Sequence, residues 1–464
     1  MSEKLVLDIP RIVIGGVQSG SGKTTLTCAI LQALLERGLR PAAFKCGPDY
    51  IDPMFHSEVI GVGSRNLDLF FCEPPTVQAL AARHSVGHGV AVIEGVMGYY
   101  DGVGGTHQAS TCHLAQVTAS PAVVVVEPKG MALSAAALLQ GFAGFLPESR
   151  VRGVIFNRCS PGLYPLLKDM VERHTALTPL GFLPPMPEAA FESRHLGLLT
   201  AGEVANLRQK LALLAEQCRQ TVDLDGLLAL ARTAPPLEPP PLCQPQPVPG
   251  RPLVAVAKDE AFCFLYENNL DFLRACGLEL AFFSPLKDAR LPEGASGLLL
   301  PGGYPELHAQ RLAGNTSMLQ SIREAMQGGL PTIAECGGFL YLHQQLEDDR
   351  GHSHLMAGVI AGSATRGQRL GRFGYVTLTA RSDSLLCRAG ESLRGHEFHY
   401  WQSENPGSAF TATKSSGATW RCVHAGCSLY AGFPHLYFYA NPGPARRFAA
   451  ACAAYHPEAK GAVR

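Results

Sequence analysis

Short apolar runs alternate with longer amphipathic stretches through both halves of the chain. In the first half these runs are bounded by turn residues, and they cover Arg11–Gly15, Ala42–Lys45, Val90–Ile93, Ala122–Val126 and Val151–Phe156. Runs of this length between turn residues are typical of buried parallel strands. The stretches Thr24–Arg37 and Thr76–Ala82 lie between runs and have the spacing of helices. The first half is therefore predicted to contain a parallel sheet covered by helices.

The second half repeats this alternation beyond a proline-rich segment. Its predicted strands are Leu253–Ala257, Glu279–Phe283, Gly297–Leu300 and Thr332–Glu335, and its predicted helices are Tyr266–Cys276, Thr316–Gln327 and Phe339–Leu346. The segment Thr233–Pro252 is too rich in proline for a helix or a central strand, so it is predicted to be a semi-rigid linker. We predict two α/β domains, residues 1–232 and 253–464, joined by a linker of residues 233–252.

Charge and cysteine content exclude several classes of protein. Lys and Arg together number 39, as do Asp and Glu, so the chain has no overall basic field to hold nucleic acid. Its apolar runs are far shorter than the roughly 20 residues of a membrane-spanning helix, and the segment MSEKLVLDIPR lacks the apolar core of a signal peptide. The fourteen cysteines form no CxxC pair. We expect a cytoplasmic protein with reduced thiols and neither a nucleic-acid nor a membrane partner.

A glycine-rich loop follows the first predicted strand. Residues 15–25 read GGVQSGSGKTT and lead into a predicted helix, which is the setting of a phosphate-binding loop. Backbone N–H groups of such a loop point at phosphate oxygens, and the helix dipole adds to the attraction. Lys23 can reach the β- and γ-phosphates, and Thr24 can ligate Mg²⁺. The candidate ATP-binding residues of the loop are Gly20, Ser21, Gly22, Lys23, Thr24 and Thr25.

Two carboxylates follow neighbouring predicted strands and suit a magnesium site. Asp49 lies in FKCGPDYIDP, and Glu94 ends the apolar run Ala91–Ile93. The carboxyl ends of parallel strands border the ligand crevice of an open α/β sheet, and Mg²⁺ prefers oxygen ligands. We predict that Thr24, Asp49 and Glu94 hold Mg²⁺. The alternative is that both acids lie on the surface at the start of loops.

A cysteine in the second half has the surroundings of a nucleophile. Residues 331–342 read PTIAECGGFLYL, so Cys336 lies between a strand and a helix, and Gly337 permits a sharp turn. The helix N-terminus is expected to favour the thiolate. Upstream, LLLPGGYPE supplies Gly302 and Gly303, whose N–H groups can bind an oxyanion together with that of Gly337. Spacing alone does not select the histidine partner among residues 343, 352, 354, 396, 399, 424 and 435.

These motifs resemble known families. The long phosphate loop with its flanking motifs is similar to the dethiobiotin-synthetase-like branch of phosphate-loop enzymes, and the elbow with its glycine loop resembles a class I glutamine amidotransferase domain. With RLGRFGYV at 369–376 and GHEFHY at 395–400, nearly the whole chain resembles the cobyrinate/hydrogenobyrinate a,c-diamide synthase family. The resemblance implies amidation of the a and c carboxylates of cobyrinic acid in cobalamin biosynthesis. It implies ATP as co-substrate, Mg²⁺ as cofactor, an acyl phosphate and ammonia from glutamine.

The resemblance also implies roles for single residues. It selects His435 as the partner of Cys336, and it places Asn157 of GVIFNR where an asparagine reads adenine. Tyr437 stands where most class I domains carry an acid, so the third member of the triad is absent or supplied elsewhere. The candidate contacts to the macrocycle are Lys45, Tyr50 and Asp52.

Two alternatives to cobyrinic acid amidation stay open on the sequence. The same ligase chemistry could act on hydrogenobyrinic acid or on a nickel tetrapyrrole. A protein of another class, an ATP-driven switch with an inert C-terminal binding domain, would share the phosphate loop but would not hydrolyse glutamine. The sequence leaves open the metal state of the substrate and the order of the two amidations. It leaves the oligomeric state open as well, with a homodimer as one option.

Overall fold

The computed structural model describes residues 6–190, 207–368 and 370–456, so Arg369 of the RLGRFGYV motif lies outside the described residues. It divides the chain into two compact units, Met1–Leu242 and Cys243–Arg464. The division falls within the proline-rich segment. Leu237 of that segment exchanges two backbone hydrogen bonds, of 2.8 and 3.1 Å, with Leu7. The start of the segment is therefore held against the first unit, and the predicted domain limits stay predictions.

The first unit contains a seven-stranded sheet among its described residues, and every pairing in it is parallel. Its strands are β1 Arg11–Gly16, β2 Pro41–Cys46, β3 Ser64–Leu67, β4 Val90–Glu94, β5 Ala122–Val126, β6 Val151–Asn157 and β7 Thr178–Leu183. Their spatial order is β3-β2-β4-β1-β5-β6-β7. The chain builds the sheet on one side of β1 first and on the other side afterwards. A crevice at such a switch point is where open α/β sheets bind ligands.

Helices connect these strands. They are α1 Lys23–Glu36, α2 Ile51–Met54, α3 Pro74–Ser85, α4 Thr111–Val117, α5 Leu133–Gly144, α6 Tyr164–His174, α7 Leu207–Thr221 and α8 Leu224–Ala231. A π-helix, Phe55–Ile60, continues α2, and short 3₁₀ turns cover Val103–Gly105 and Pro187–Ala189. The five predicted strands are present, while β3 and β7 were not predicted. Polar residues in β3 and a proline in β7 weaken the local signal, and pairing with β2 and β6 determines both strands.

The second unit contains three sheets among its described residues. Its strands are β8 Leu253–Ala257, β9 Glu279–Phe283, β10 Ala295–Leu300, β11 Thr332–Glu335, β12 His343–Glu347, β13 Ser353–Leu355, β14 Ile360–Arg366, β15 Arg372–Ala380, β16 Ser392–His399, β17 Trp401–Ser403, β18 Phe410–Thr413, β19 Thr419–Cys422, β20 His424–Ala425, β21 Leu429–Gly432 and β22 His435–Leu436. The main sheet has the order β20-β21-β11-β10-β8-β9, and it is parallel apart from β20. The smaller sheets have the orders β13-β12-β14-β17 and β19-β18-β15-β16-β22.

The helices of this unit are α9 Glu267–Ala275, α10 Ala309–Gly314, α11 Thr316–Gln327, α12 Gly337–Tyr341 and α13 Pro442–Ala454, with a 3₁₀ turn at Pro305–His308. The predicted helix Phe339–Leu346 is wrong beyond Tyr341. There the chain enters β12, because β12 pairs with β14 on one side and β13 on the other. Pairing with distant strands overrides the local helical pattern. No helix in the described parts of either unit has the length and hydropathy of a bilayer-spanning segment.

Candidate active sites

The phosphate loop lies between the end of β1 and the start of α1. Gly22 has a φ of +91°, and a methyl group added there would come within 1.9 Å of Asn157 Nδ2. Only glycine suits both the left-handed backbone and this close approach. Asn157 Nδ2 donates to the backbone oxygen of Ser21 at 3.0 Å. Asn157, at the end of β6, therefore supports the loop directly, and its contact with adenine stays a prediction.

Lys23 extends across the loop. Its Nζ donates to the backbone oxygens of Met97, at 2.6 Å, and Gln18, at 3.3 Å. Burial and the neighbouring Lys45 lower the pKa of Lys23 to about 8. Within the described residues, the buried hydroxyl of Ser21 has no hydrogen-bond partner. The loop thus contains the ammonium group of Lys23, which donates to backbone carbonyls, and the hydroxyl of Ser21, which has no hydrogen-bond partner among the described residues.

Glu94, the last residue of β4, is the centre of a buried cluster. Its Oε1 accepts hydrogen bonds from Thr24 Oγ1 at 2.6 Å and from Lys45 Nζ at 2.9 Å. Its Oε2 lies 3.1 Å from His56 Nε2. Burial by itself would raise the pKa of Glu94, but Lys45 and His56 outweigh it and hold that pKa well below its usual range. The site therefore contains a fixed negative charge beside the first turn of α1.

Lys45 also forms an ion pair with Asp52. Although burial lowers it, the pKa of Lys45 is raised by the carboxylates of Asp52 and Glu94. Burial raises the pKa of Asp52, and the nearby Asp49 and Glu94 raise it further. Lys45, Asp52 and Tyr50 are all buried. In this structure Lys45 and Asp52 belong to an interior ion pair rather than to an open surface, and their contact with a macrocycle stays a prediction.

Asp49 and His56 complete the first site. Asp49 Oδ1 accepts a hydrogen bond from the backbone N–H of Ile51 at 2.8 Å, so this carboxylate caps the short helix α2. His56 Nδ1 lies 3.1 Å from Ser64 Oγ, which positions its ring against Glu94. Sequence reasoning missed His56, although it lies three residues beyond the FKCGPDYIDP segment. Its signal was weak because a histidine within a helical stretch is usually a core residue.

Cys336 forms the turn between β11 and α12. Its φ of +45° and ψ of −101° are strained for a residue with a side chain, at a cost of roughly 1–3 kcal/mol. Its N–H donates to Gly432 O at 2.8 Å. A methyl group at Gly338 would come within 2.1 Å of Leu300 O, so α12 packs tightly on the end of β10. This is the strand–turn–helix geometry that displays a nucleophile.

The expectation that the helix N-terminus favours the thiolate is wrong for this structure. Burial raises the pKa of the Cys336 thiol well above its usual range, and the carboxylates of Glu306, Glu397 and Glu335 raise it further. The hydrogen bond from the backbone of Gly337 acts in the opposite direction but is outweighed. Helix α12 has five residues, so its dipole is small. A raised pKa favours the neutral thiol, so Cys336 could act as a nucleophile only with the help of a base.

Tertiary packing brings the predicted glycine loop and His435 together. A methyl group at Gly337 would lie 2.9 Å from the backbone nitrogen of Gly303. A methyl group at Gly302 would lie 2.5 Å from His435 Cε1 and 3.3 Å from its Nε2. The ring of His435 therefore lies against the turn that borders the nucleophile. Other histidines have polar contacts elsewhere: His343 Nε2 with Ser403 Oγ at 2.7 Å, and His354 Nε2 with Asp348 Oδ2 at 2.9 Å.

An acid that the sequence did not suggest lies beside His435. Glu335 Oε2 lies 3.6 Å from His435 Nδ1, and its Oε1 accepts a hydrogen bond from the N–H of Leu436 at 3.1 Å. Tyr437 points elsewhere, and its hydroxyl is bonded to Asn268 Nδ2. The sequence feature that could have indicated this acid is the charged residue at the end of the apolar strand β11, directly before Cys336.

Comparisons with known proteins match two parts of the chain to two families of domain. Residues 12–196 match the CobQ/CobB/MinD/ParA nucleotide binding domain, and residues 253–442 match the CobB/CobQ-like glutamine amidotransferase domain. The two matches confirm the predicted fold class, a phosphate-loop α/β domain followed by an amidotransferase α/β domain. They also confirm the prediction that the first half binds a nucleotide.

Curated relatives cover most of the chain. A cobyrinate a,c-diamide synthase of Listeria monocytogenes is 40% identical over 441 residues, which is 93% of this chain and 97% of the relative. The enzyme of Salmonella typhimurium is 44% identical over 84% of this chain and 85% of its own. That of Priestia megaterium is 37% identical over 98% of this chain and 99% of its own. The chain belongs to the cobyrinate a,c-diamide synthase family.

Proposed function

We propose that the first unit activates peripheral carboxylates of cobyrinic acid with ATP, and that the second supplies ammonia from glutamine to convert them to the a and c amides. The family and its two domains make the chain a glutamine-dependent ligase of cobalamin biosynthesis. The observation that carries the mechanism is the pairing of Thr24 with the ionised Glu94 beside the phosphate loop, in a chain that also carries the Cys336 elbow.

In the activation step, a carboxylate oxygen of the substrate attacks the γ-phosphorus of ATP. The bond from that phosphorus to the bridging oxygen breaks, ADP leaves, and a mixed acyl phosphate forms. Such transfer depends on positioning and on charges arranged beforehand. Lys23 and the backbone N–H groups from Gly20 to Thr25 would stabilise the phosphate oxygens, and Asn157 keeps the loop in shape through Ser21.

The residues at the strand ends fit Mg²⁺. Thr24 and Glu94 place a hydroxyl and an ionised carboxylate 2.6 Å apart, and Asp49 adds a second carboxylate at the end of β2. The described residues contain no group of three or more His, Cys, Asp or Glu side chains suited to a metal ion. This agrees with Mg²⁺, which takes one or two protein carboxylates and completes its shell with phosphate and water. When bound, the ion would offset charge on the β- and γ-phosphates.

In the second unit, His435 takes the proton of the Cys336 thiol as the sulfur attacks the side-chain amide of glutamine. The N–H groups of Gly303 and Gly337 are the proposed donors to the oxyanion, and the close approach of Gly337 to the nitrogen of Gly303 supports this role. Collapse of the tetrahedral intermediate returns the proton to the nitrogen, which leaves as ammonia, and water then hydrolyses the thioester to glutamate. Ammonia attacks the acyl phosphate, and inorganic phosphate leaves as the amide forms.

The free cysteines support a reducing location. None of the fourteen forms a disulfide among the described residues, and eleven of them are buried. Disulfides are rare where the cell keeps thiols reduced. We place the protein in the cytoplasm on this ground.

The test of the function is a panel of tetrapyrrole acids offered with ATP, Mg²⁺ and glutamine, with products counted by mass. Cobyrinic acid should gain two amides, and reactions without ATP should gain none. Preferential amidation of hydrogenobyrinic acid or a nickel tetrapyrrole would contradict the assigned acceptor. Absence of any glutamine hydrolysis would contradict the ligase and favour an ATP-driven switch.

A further inference from the structure

We propose that Glu335 is the positioning residue for His435 and supplies the acid that Tyr437 does not. The proposal deepens the glutaminase site described above and rests on the roles proposed there for Cys336 and His435. It assigns the third member of the triad to the residue that directly precedes the nucleophile.

The two edges of the His435 imidazole have different neighbours. Glu335 Oε2 lies 3.6 Å from His435 Nδ1, and both residues are buried, with 5% and 2% of their surfaces exposed. The opposite edge of the imidazole, with Nε2, lies against Gly302 in the glycine loop that borders Gly337. At 3.6 Å the contact is an ion-pair distance rather than a hydrogen bond, so the charge of the carboxylate favours a proton at Nδ1 and leaves the lone pair at Nε2 to act as the base.

The second carboxylate oxygen fixes the backbone that carries the histidine. Glu335 Oε1 accepts the N–H of Leu436 at 3.1 Å, so β22 is tied to the end of β11. The other side of β22 pairs with β16, where His396 is opposite His435. One carboxylate therefore holds both the strand and the ring, which limits rotation of the imidazole.

Other titratable groups near the ring do not supply this charge. Burial lowers the pKa of His396 to about 3 and that of His399 to about 4, so both are neutral near pH 7. Glu306 and Glu397 are neighbours of the Cys336 thiol, where they disfavour the thiolate. Glu335, which also raises the pKa of that thiol, is the acid observed within ion-pair distance of His435 Nδ1.

Chain geometry explains how neighbouring residues can both serve the site. In a regular strand, Glu335 and Cys336 would point to opposite faces. The left-handed φ of +45° at Cys336 breaks this alternation and turns the chain into α12. The acid stays on the strand beside β22, while the thiol moves to the turn.

The experiment compares Glu335→Gln with Glu335→Asp. Glutamine can still accept the N–H of Leu436 but carries no negative charge. We expect glutaminase kcat to fall on the order of 10²- to 10³-fold in E335Q with KM nearly unchanged. The acid limb of its pH profile should move to lower pH, because the imidazolium loses its counter-charge. E335D keeps the charge and should recover part of kcat.

Glu324→Gln on the exposed face of α11 is the matched control and should leave glutaminase unchanged. Ammonia-driven amidation should survive in E335Q. A wild-type kcat and pH profile in E335Q would overturn the proposal, as would loss of ammonia-driven amidation, because the residue would then serve the fold. Cys336→Ser is measured alongside: if it kept glutamine use, the proposed function itself would fail.

Discussion

Two fully buried carboxylates, one in each unit, have pKa values that are shifted in opposite directions. Glu94 in the first unit contacts Thr24, Lys45 and His56, and its pKa lies well below its usual range. Glu397 on β16 is equally buried, but neither of its oxygens has a hydrogen-bond partner among the described residues. Burial raises the pKa of Glu397 to about 7, against the partial effect of Arg372 and Lys414. Contacting partners, rather than burial, decide whether an interior acid is charged.

This difference matches the chemistry proposed for each unit. Phosphoryl transfer needs charges that are fixed before the substrate arrives, and the cluster around Glu94 provides them. Amide cleavage needs a proton to move, and the second unit surrounds a neutral Cys336 thiol with carboxylates that keep it neutral. The first site contains a charged Glu94 paired with Lys45, and the second is proposed to work through a proton that His435 carries.

The largest effect is expected from Cys336→Ser. Glutamine-dependent amidation should fall on the order of 10⁴-fold, because serine is a far poorer nucleophile here than cysteine. Amidation with high ammonium at mildly alkaline pH should survive, since the activated carboxylate belongs to the first unit. His435→Ala should be nearly as severe, because a neutral buried thiol cannot ionise without a base. Loss of ammonia-driven amidation in folded C336S would break the division between the units.

Lys23→Ala should reduce amidation with either nitrogen source on the order of 10²- to 10³-fold. The lost ammonium no longer offsets charge on the transferred phosphoryl group. The measurement is amide formation with glutamine and with ammonia, and glutamine hydrolysis by the same variant serves as the control. Near-normal ATP-dependent amidation would show that the loop does not bind the nucleotide as proposed.

Glu94→Gln and Asp49→Asn should raise the Mg²⁺ concentration needed for half-maximal amidation. We expect about tenfold for E94Q, because a neutral amide loses the charge that attracts a hard cation. The effect of D49N should be smaller, since Asp49 already caps α2 with one oxygen. Rates are measured against Mg²⁺ at saturating ATP. If both variants gave the same curve of rate against Mg²⁺ concentration as the parent, the two acids would have only a structural role.

The smallest effect concerns stability. The pKa of Glu397 is about 7 in the folded protein, against roughly 4.3 for a glutamate in the unfolded chain. Glu397 therefore keeps its proton to a higher pH when the protein is folded. Stability is therefore lost as pH rises between those values. Glu397→Gln cannot ionise, so it should be about 1–3 kcal/mol more stable than the parent at pH 8 and similar at pH 4.

Tryptophan fluorescence can follow this unfolding, because both tryptophans, Trp401 and Trp420, belong to the second unit. Glu391→Gln is the matched control. A backbone hydrogen bond at Arg388 and the charge of Arg447 hold the pKa of Glu391 below its usual range, so its variant should lose stability at neutral pH. If the stability of E397Q and of the parent changed with pH in the same way, the pKa of Glu397 would not be raised in the folded protein. The contrast with Glu94 would then disappear.

The sequence by itself determined the features that consecutive residues encode. The phosphate loop, the Cys336 elbow and nine strands could be predicted because a strand, a glycine turn and a helix start are local patterns. The motifs also identified the family, because several of them occur in one order. Strands β3 and β12 could not be predicted, since their pairing partners rather than their own residues stabilise them.

Only the tertiary structure decided which distant side chains meet. Spacing alone left seven histidines as partners for Cys336, only the family resemblance selected His435, and the acid stayed unknown. Packing brings His435 to the glycine loop and Glu335 to its ring. Charge states were decided there as well, because the pKa of a buried group depends on neighbours that the sequence places tens or hundreds of residues away. Lys45 shows this. Its contact with the substrate stays a prediction, whereas the structure makes it an interior counter-ion of Glu94, because β2 and β4 pair in parallel with Lys45 opposite Glu94.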